Sequence, residues 1–293
     1  MSMDHDLYRF SPLPQRPTLV WPDGARMAFH VTLYIEHWEL SQIDGSVKDQ
    51  RFLSEFGPYE PDYRTWTQRE YGNRVGIFRV LEVLDRHNIR ASVTIGASAC
   101  ERYPQLVAEI TRRGWEILAH GTHATRIISS KMTDAEQRTY IADAIASVTR
   151  ATGKVPKGWV SQDQGEAVNT PALLAEAGID HLIDWSNDDQ VYMMRPGLVS
   201  IPHQMDWDDI VLFWLRRVET WRYPALVEEA ARVLAAEGAR NFGLSIHPWL
   251  FGMAHRIRYL DEALARIKSI DGLWQATTGE IAAWAKPQLL APQ

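Results

Sequence analysis

The chain has 293 residues, 45% of them hydrophobic, a formal net charge of −6 and a single cysteine, Cys100. The acidic balance argues against nucleic acid or an anionic membrane surface as a main partner, and one thiol excludes an intramolecular disulfide and a thiolate metal cluster. No apolar stretch reaches the roughly 18 residues of a membrane span, and residues 1–10, with Asp4, His5 and Asp6, lack the apolar core of a signal peptide, so a cytoplasmic protein is expected.

The first apolar run, residues 27–35 (MAFHVTLYI), reads as a buried strand. A loop rich in Gly, Pro and aromatics is expected up to about Glu70, then a helix over 74–86 with its apolar face at Val75, Ile77, Phe78, Val80, Leu81 and Leu84. Strands are predicted at 91–95, 115–119, 157–160, 179–183, 198–202, 242–246 and 273–276. Helices are predicted at 103–113, 133–151, 170–177, 224–236, 256–267 and 278–284. Thr133 with Glu136 carries a capping-box signature, and Gly178 stops the fourth of these seven helices. Strand–helix alternation of this kind implies a parallel sheet with helical crossovers. With seven or eight units and no dinucleotide fingerprint, a distorted (β/α) TIM-like barrel of about seven parallel strands is preferred over an open sheet. The whole chain reads as one domain, residues 1–293, with 1–20 as an N-terminal extension.

In such barrels chemistry sits on the loops that leave the carboxyl ends of the strands. Six of the ten histidines follow predicted strands: His37, His120, His123, His203, His247 and His255. Glu36 follows the first strand, and Asp184 with Trp185 follows the strand at 179–183. Imidazole and carboxylate together supply acid–base chemistry near neutral pH or a metal site. The sequence therefore nominates Glu36, His120 and His247 as catalytic, and His37, Arg74, His123, Trp159, Asp184, Trp185, Trp249 and His255 as substrate-binding. Trp38, Trp159, Trp185 and Trp249 all lie in or beside these loops, which suggests walls for a flat, partly apolar ligand. Cys100 reads as inert packing.

The segments YGNRVGIFRVLEVL (71–84), GWEILAHG (114–121), LLAEAGIDHLIDWSNDDQ (173–190), LSIHPWLFGMAHRIRYLDEAL (244–264) and TTGEIAAW (277–284) give the chain a likeness to one family. In this order they resemble the polysaccharide deacetylase superfamily, nearest its allantoinase-like and cyclic-imidase-like branch. The resemblance implies a distorted (β/α) barrel and amide hydrolysis. In the carbohydrate members it implies an Asp pair, a metal and two His four residues apart. This chain departs from that pattern. Glu36-His37 stands where the Asp pair would be, the residue four after His120 is Ala124, and the run 158–161 lacks the usual Arg. The allantoinase-like branch also departs from the metal pattern.

The function expected is hydrolysis of a C–N amide bond in a small cyclic amide, imide or ureide, with a small molecule as the partner. Glu36 or His120 takes a proton from water, His247 protonates the leaving nitrogen, and His255-Arg256 holds the new carboxylate. The alternatives are N-deacetylation of an amino sugar or glycan, and a non-catalytic ligand-binding barrel. No cofactor is required, although Glu36, His120 and His123 offer three donors to a divalent metal such as zinc. The sequence leaves homo-oligomer formation open.

Overall fold

The computed structural model describes residues 4–41, 43–47, 51, 60–195 and 197–291. Nine strands form one sheet: β1 Met27–Ile35, β2 Ser92–Ile95, β3 Glu116–Ala119, β4 Gly158–Trp159, β5 His181–Leu182, β6 Tyr192–Met193, β7 Val199–Ser200, β8 Arg240–Ile246 and β9 Leu273–Gln275. Their order is β6-β7-β5-β4-β3-β2-β1-β8, with β9 beside the first residues of β1. All pairs are parallel except β6–β7. All nine residues of β1 are buried, as expected for a parallel strand at the centre of a sheet covered on both faces.

The sheet curls into a half-barrel whose two ends do not pair strand to strand. Between β7 and β8 side chains do the bridging. The Gln204 amide accepts from the Gly243 N–H (2.8 Å) and donates to the Asn241 carbonyl (2.9 Å). Trp207 Nε1 donates to the Gly243 carbonyl (2.9 Å), and the Asn241 N–H donates to the Asp189 carbonyl (2.8 Å). One edge of β8 thereby finds the partners that a neighbouring strand would have supplied.

Two expectations change. Part of the predicted loop before Glu70 is helical: a helix runs over Tyr63–Tyr71, passes through a π turn at Gly72–Gly76 and continues over Ile77–Arg86. The short antiparallel β6 was not foreseen, because two residues carry no readable period. The π turn has a packing cause. A Cβ at Gly72 would lie 2.6 Å from the Trp249 nitrogen, and one at Gly76 would lie 2.2 Å from the Pro248 carbonyl oxygen. Only glycine lets this helix lie against the turn that follows β8. Among the described residues, no helix is long and apolar enough to cross a membrane.

Candidate active site

The carboxyl ends of β1, β3 and β8 deliver Glu36, His120 and His247 to the lining of a single pocket. Tyr34, Trp38, Ser161, Gln162 and Asp208 line it with them. Each of the three is fixed by a different device.

His120 donates from Nδ1 to the Val160 carbonyl (2.7 Å), since a carbonyl can only accept. That bond leaves Nε2 facing Glu36 Oε1 at 3.4 Å. The next residue, Gly121, has φ +67°, and a Cβ there would lie 2.0 Å from the Tyr140 hydroxyl oxygen, so the chain turns away at once. Glu36 is held from behind: the Asn73 amide, presented by the π turn, donates to its carbonyl (2.7 Å), and Trp38 Nε1 donates to Oε2 (3.3 Å). Burial opposes the charge on Glu36. The hydrogen bond from His120 and the positive charges of His247, His120 and Arg69 outweigh it and hold the carboxyl at about 2. Arg69 is itself buried, its guanidinium 3.4 Å from the Trp249 ring centroid and 4.6 Å from that of Trp38.

His247 is clamped by Asp209, whose Oδ1 lies 2.6 Å from Nδ1 and whose Oδ2 accepts from the His247 backbone N–H at 2.6 Å. The imidazole stacks on Tyr34 at 4.1 Å. Burial works against a charge on His247, but Asp209, then Glu36 and Asp208, prevail and raise its pKa above the usual 6.5. Burial in turn pushes the Asp209 carboxyl up to about 6. Asp208, next in sequence, faces the pocket. Its Oδ1 accepts from the N–H groups of Ile210 (2.9 Å) and Val211 (3.1 Å), while Oδ2 lies 3.4 Å from His203 Nε2. Burial disfavours its charge, yet His203 and the other neighbours hold its pKa below the carboxylate norm.

The remaining nominated residues fall elsewhere. His37 points away from its neighbour Glu36, as alternation along an extended chain requires, and contacts the Tyr103 hydroxyl at 3.0 Å. Burial, with the charges of Arg102 and His123, pulls its pKa down to about 4. Arg74 is exposed on the π turn and does not reach Glu36; Asn73 and Arg69 act on Glu36 instead. His123 is half-buried outside the pocket and forms no three-ligand cluster with Glu36 and His120. His255 is exposed. Trp159 is fully buried and donates to Ser161 Oγ (2.8 Å), and Trp249 packs on Arg69. Trp185 lines a shallow neighbouring cleft with Asp184 and Glu166. The expected wall of tryptophans reduces to Trp38, because a side chain beside a strand-following loop turns inward to the core as readily as to the ligand. Asp184 lies behind the pocket, accepting from the Ser161 N–H (2.8 Å). Burial and Asp184 together push Glu166 up to about 9.

Sequence reading missed Asp208, Asp209, Asn73 and Arg69. Only the first pair left a signal, two aspartates directly before the apolar run Ile210–Leu215, which is where a turn-capping residue belongs.

A metal centre was tested against these donors. Where the resemblance implies an Asp pair and a His pair, the chain offers Glu36, His120 and the methyl group of Ala124, which lines the pocket. Among the described residues the cluster with metal-ligand spacing is Asp208, Asp209 and His247. There both oxygens of Asp209 and Oδ1 of Asp208 already take N–H donors. Asp208 Oδ2, His247 Nε2 and a second lone pair on each Asp209 oxygen stay open, so these three residues could hold a divalent metal, which would supply a bound water of lowered pKa.

The fold and the site define a class, a curled (β/α) barrel with acid–base residues at its carboxyl face. The polysaccharide deacetylase family model matches residues 70–181. A Schizosaccharomyces pombe protein named as a polysaccharide deacetylase is 25% identical over 300 residues, 90% of this chain and 92% of that protein. Two solved structures each align with a TM-score of 0.82 at 26% identity over 94% of this chain. They are Puue allantoinase, 96% covered, and a Pseudomonas aeruginosa PAO1 protein named as a polysaccharide deacetylase, 97% covered. These similarities point to a hydrolase acting on carbon–nitrogen bonds.

Proposed function

We propose that the protein opens a small cyclic amide, imide or ureide by hydrolysis, using its own side chains. The observation that carries this reading is the meeting of Glu36, His120 and His247 in one pocket, with His247 backed by Asp209. The similarity to an allantoinase over nearly the full length of both chains points the same way. The Glu36 carboxylate, ionised and too weakly basic to hold a proton near neutrality, accepts a hydrogen bond from the attacking water. In its neutral form His120, its Nδ1–H committed to Val160, carries a lone pair at Nε2 and takes the proton; once protonated it becomes the donor that holds Glu36 ionised. Glu36 then faces a cationic imidazole, which its charge stabilises. As the C–N bond breaks, His247 delivers a proton to the nitrogen. A ring carbonyl plus water becomes a carboxyl group and a freed N–H.

A second reading, N-deacetylation of an amino sugar, is favoured by the family model and by the names of two relatives. Assaying hydantoin, succinimide, allantoin and N-acetylglucosamine oligomers, each with and without chelator, separates the two. Ring opening that survives chelation is expected. Acetate release from the oligomers, with all rings left intact, would overturn the first reading.

A further inference from the structure

The pocket that holds Glu36, His120 and His247 has a further buried carboxylate in its lining. Asp208 is 5% exposed and lines this pocket, yet the proposed reaction gives it no part. Its two oxygens are unequal. Oδ1 is committed to the backbone of Ile210 and Val211, which fixes the plane of the carboxylate. Oδ2 has one long contact, with His203 Nε2 at 3.4 Å, and keeps further acceptor capacity. Asp209 sits next to it in the chain and binds His247 through both oxygens, so the two aspartates divide their labour: one orients the acid, and the other keeps an acceptor in reserve beside it.

An ionised acceptor in a water-poor pocket selects by chemistry. A ligand carbonyl placed there meets like charge, whereas an N–H meets a charge-assisted hydrogen bond. From these positions we infer that Asp208 is a specificity residue that accepts the ring N–H of the substrate, so that the enzyme takes rings whose amide nitrogen carries hydrogen. The inference rests on the ring-opening reading above and narrows its substrate class. Asp208 lies beside His247, so a nitrogen held in plane by its N–H turns its out-of-plane lone pair toward the acid. As the carbon–nitrogen bond breaks, the nitrogen keeps its original hydrogen and gains the one from His247, leaving as a primary amide when the ring is an imide.

The test compares succinimide with N-methylsuccinimide on the full chain. A site built around a substrate N–H rejects the analogue lacking it strongly, so kcat/KM for succinimide is expected to exceed that for the N-methyl ring by roughly 10²-fold or more. In Asp208→Asn the Oδ1 cap survives and an NH2 group replaces the Oδ2 acceptor. Succinimide should then lose at least about tenfold more in kcat/KM than N-methylsuccinimide does, so that the ratio is compressed. Simple steric exclusion of the methyl group would instead preserve the ratio in the variant and overturn the inference. Comparable hydrolysis of both imides by the wild type also overturns it, while leaving the ring-opening reading intact. Failure of the wild type on every ring removes that reading and this inference together. Should Asp208→Asn not fold, Asp208→Ser, which keeps a short capping oxygen, is compared on the same two imides, and an unchanged ratio overturns the role of Asp208.

Discussion

The two ends of the half-barrel carry nearly the same residue types and do different things with them. At the carboxyl end Glu36 lies 3.4 Å from His120; at the amino end Glu116 lies 3.7 Å from His181. Glu116 uses one oxygen to tie elements together. Its Oε2 accepts from Ser92 Oγ (2.6 Å), Thr278 Oγ1 (2.9 Å) and the Gly279 N–H (3.0 Å), and so ties β2 and β3 to the start of the last helix. His181 Nε2 also contacts Thr278 Oγ1 at 3.1 Å. Glu36 and His120 keep atoms that face a pocket. A carboxylate–histidine pair is structural when its bonds tie neighbouring elements together, and becomes chemically competent when the fold turns it toward a pocket.

The largest effect expected from breaking this contrast is at the carboxyl end. His120→Ala should lower kcat/KM on the best ring substrate by about 10²–10⁴-fold, the usual worth of a positioned acid or base. Its thermal midpoint should stay close to that of the wild type. Retained turnover would move the base elsewhere.

Asp209→Asn comes next. His247 carries its proton below a pKa that Asp209 raises above 6.5, so the active acid form is lost as pH climbs through that raised value. Removing the Asp209 charge should shift the alkaline limb of the kcat profile to lower pH and reduce turnover by roughly tenfold to hundredfold, part of the value of general acid catalysis. An alkaline limb that does not move would separate His247 from proton delivery.

The amino end should answer in stability alone. Glu116→Ala leaves three N–H and O–H groups without their acceptor and should cost about 1–3 kcal/mol in denaturant unfolding, with turnover per folded molecule unchanged. A fall in turnover at full folding would make the two ends less distinct than their geometry implies. The smallest change is expected at Arg74→Ala, an exposed position that should stay within about 0.5 kcal/mol and within twofold of wild-type turnover.

Much of this architecture was legible from pattern. The run 27–35 became β1 residue for residue, since a strand buried on both faces is apolar throughout. Thr133 and Glu136 formed the capping box that their spacing announced. Glu36, His120 and His247 could be nominated because each stands directly after a readable strand, and parallel winding sends every such end to one face.

Other features had no local signature. Whether a loop residue turns inward is decided by packing partners distant in sequence. Arg69 and Asn73, not Arg74, reach Glu36 because Gly72 and Gly76 let a π turn settle against Pro248 and Trp249. Asp209 finds His247 across 38 residues of chain, and Gln204 completes β8 without being a strand. Periodicity, caps and the order of elements follow from neighbours along the chain, and the sequence determined those. The orientation of each polar side chain, the closure of the seam and the difference between the element-tying and the pocket-facing carboxylate–histidine pair depend on groups brought together only by folding. Those the tertiary structure decided, because a buried polar atom takes its role from the partners it meets there.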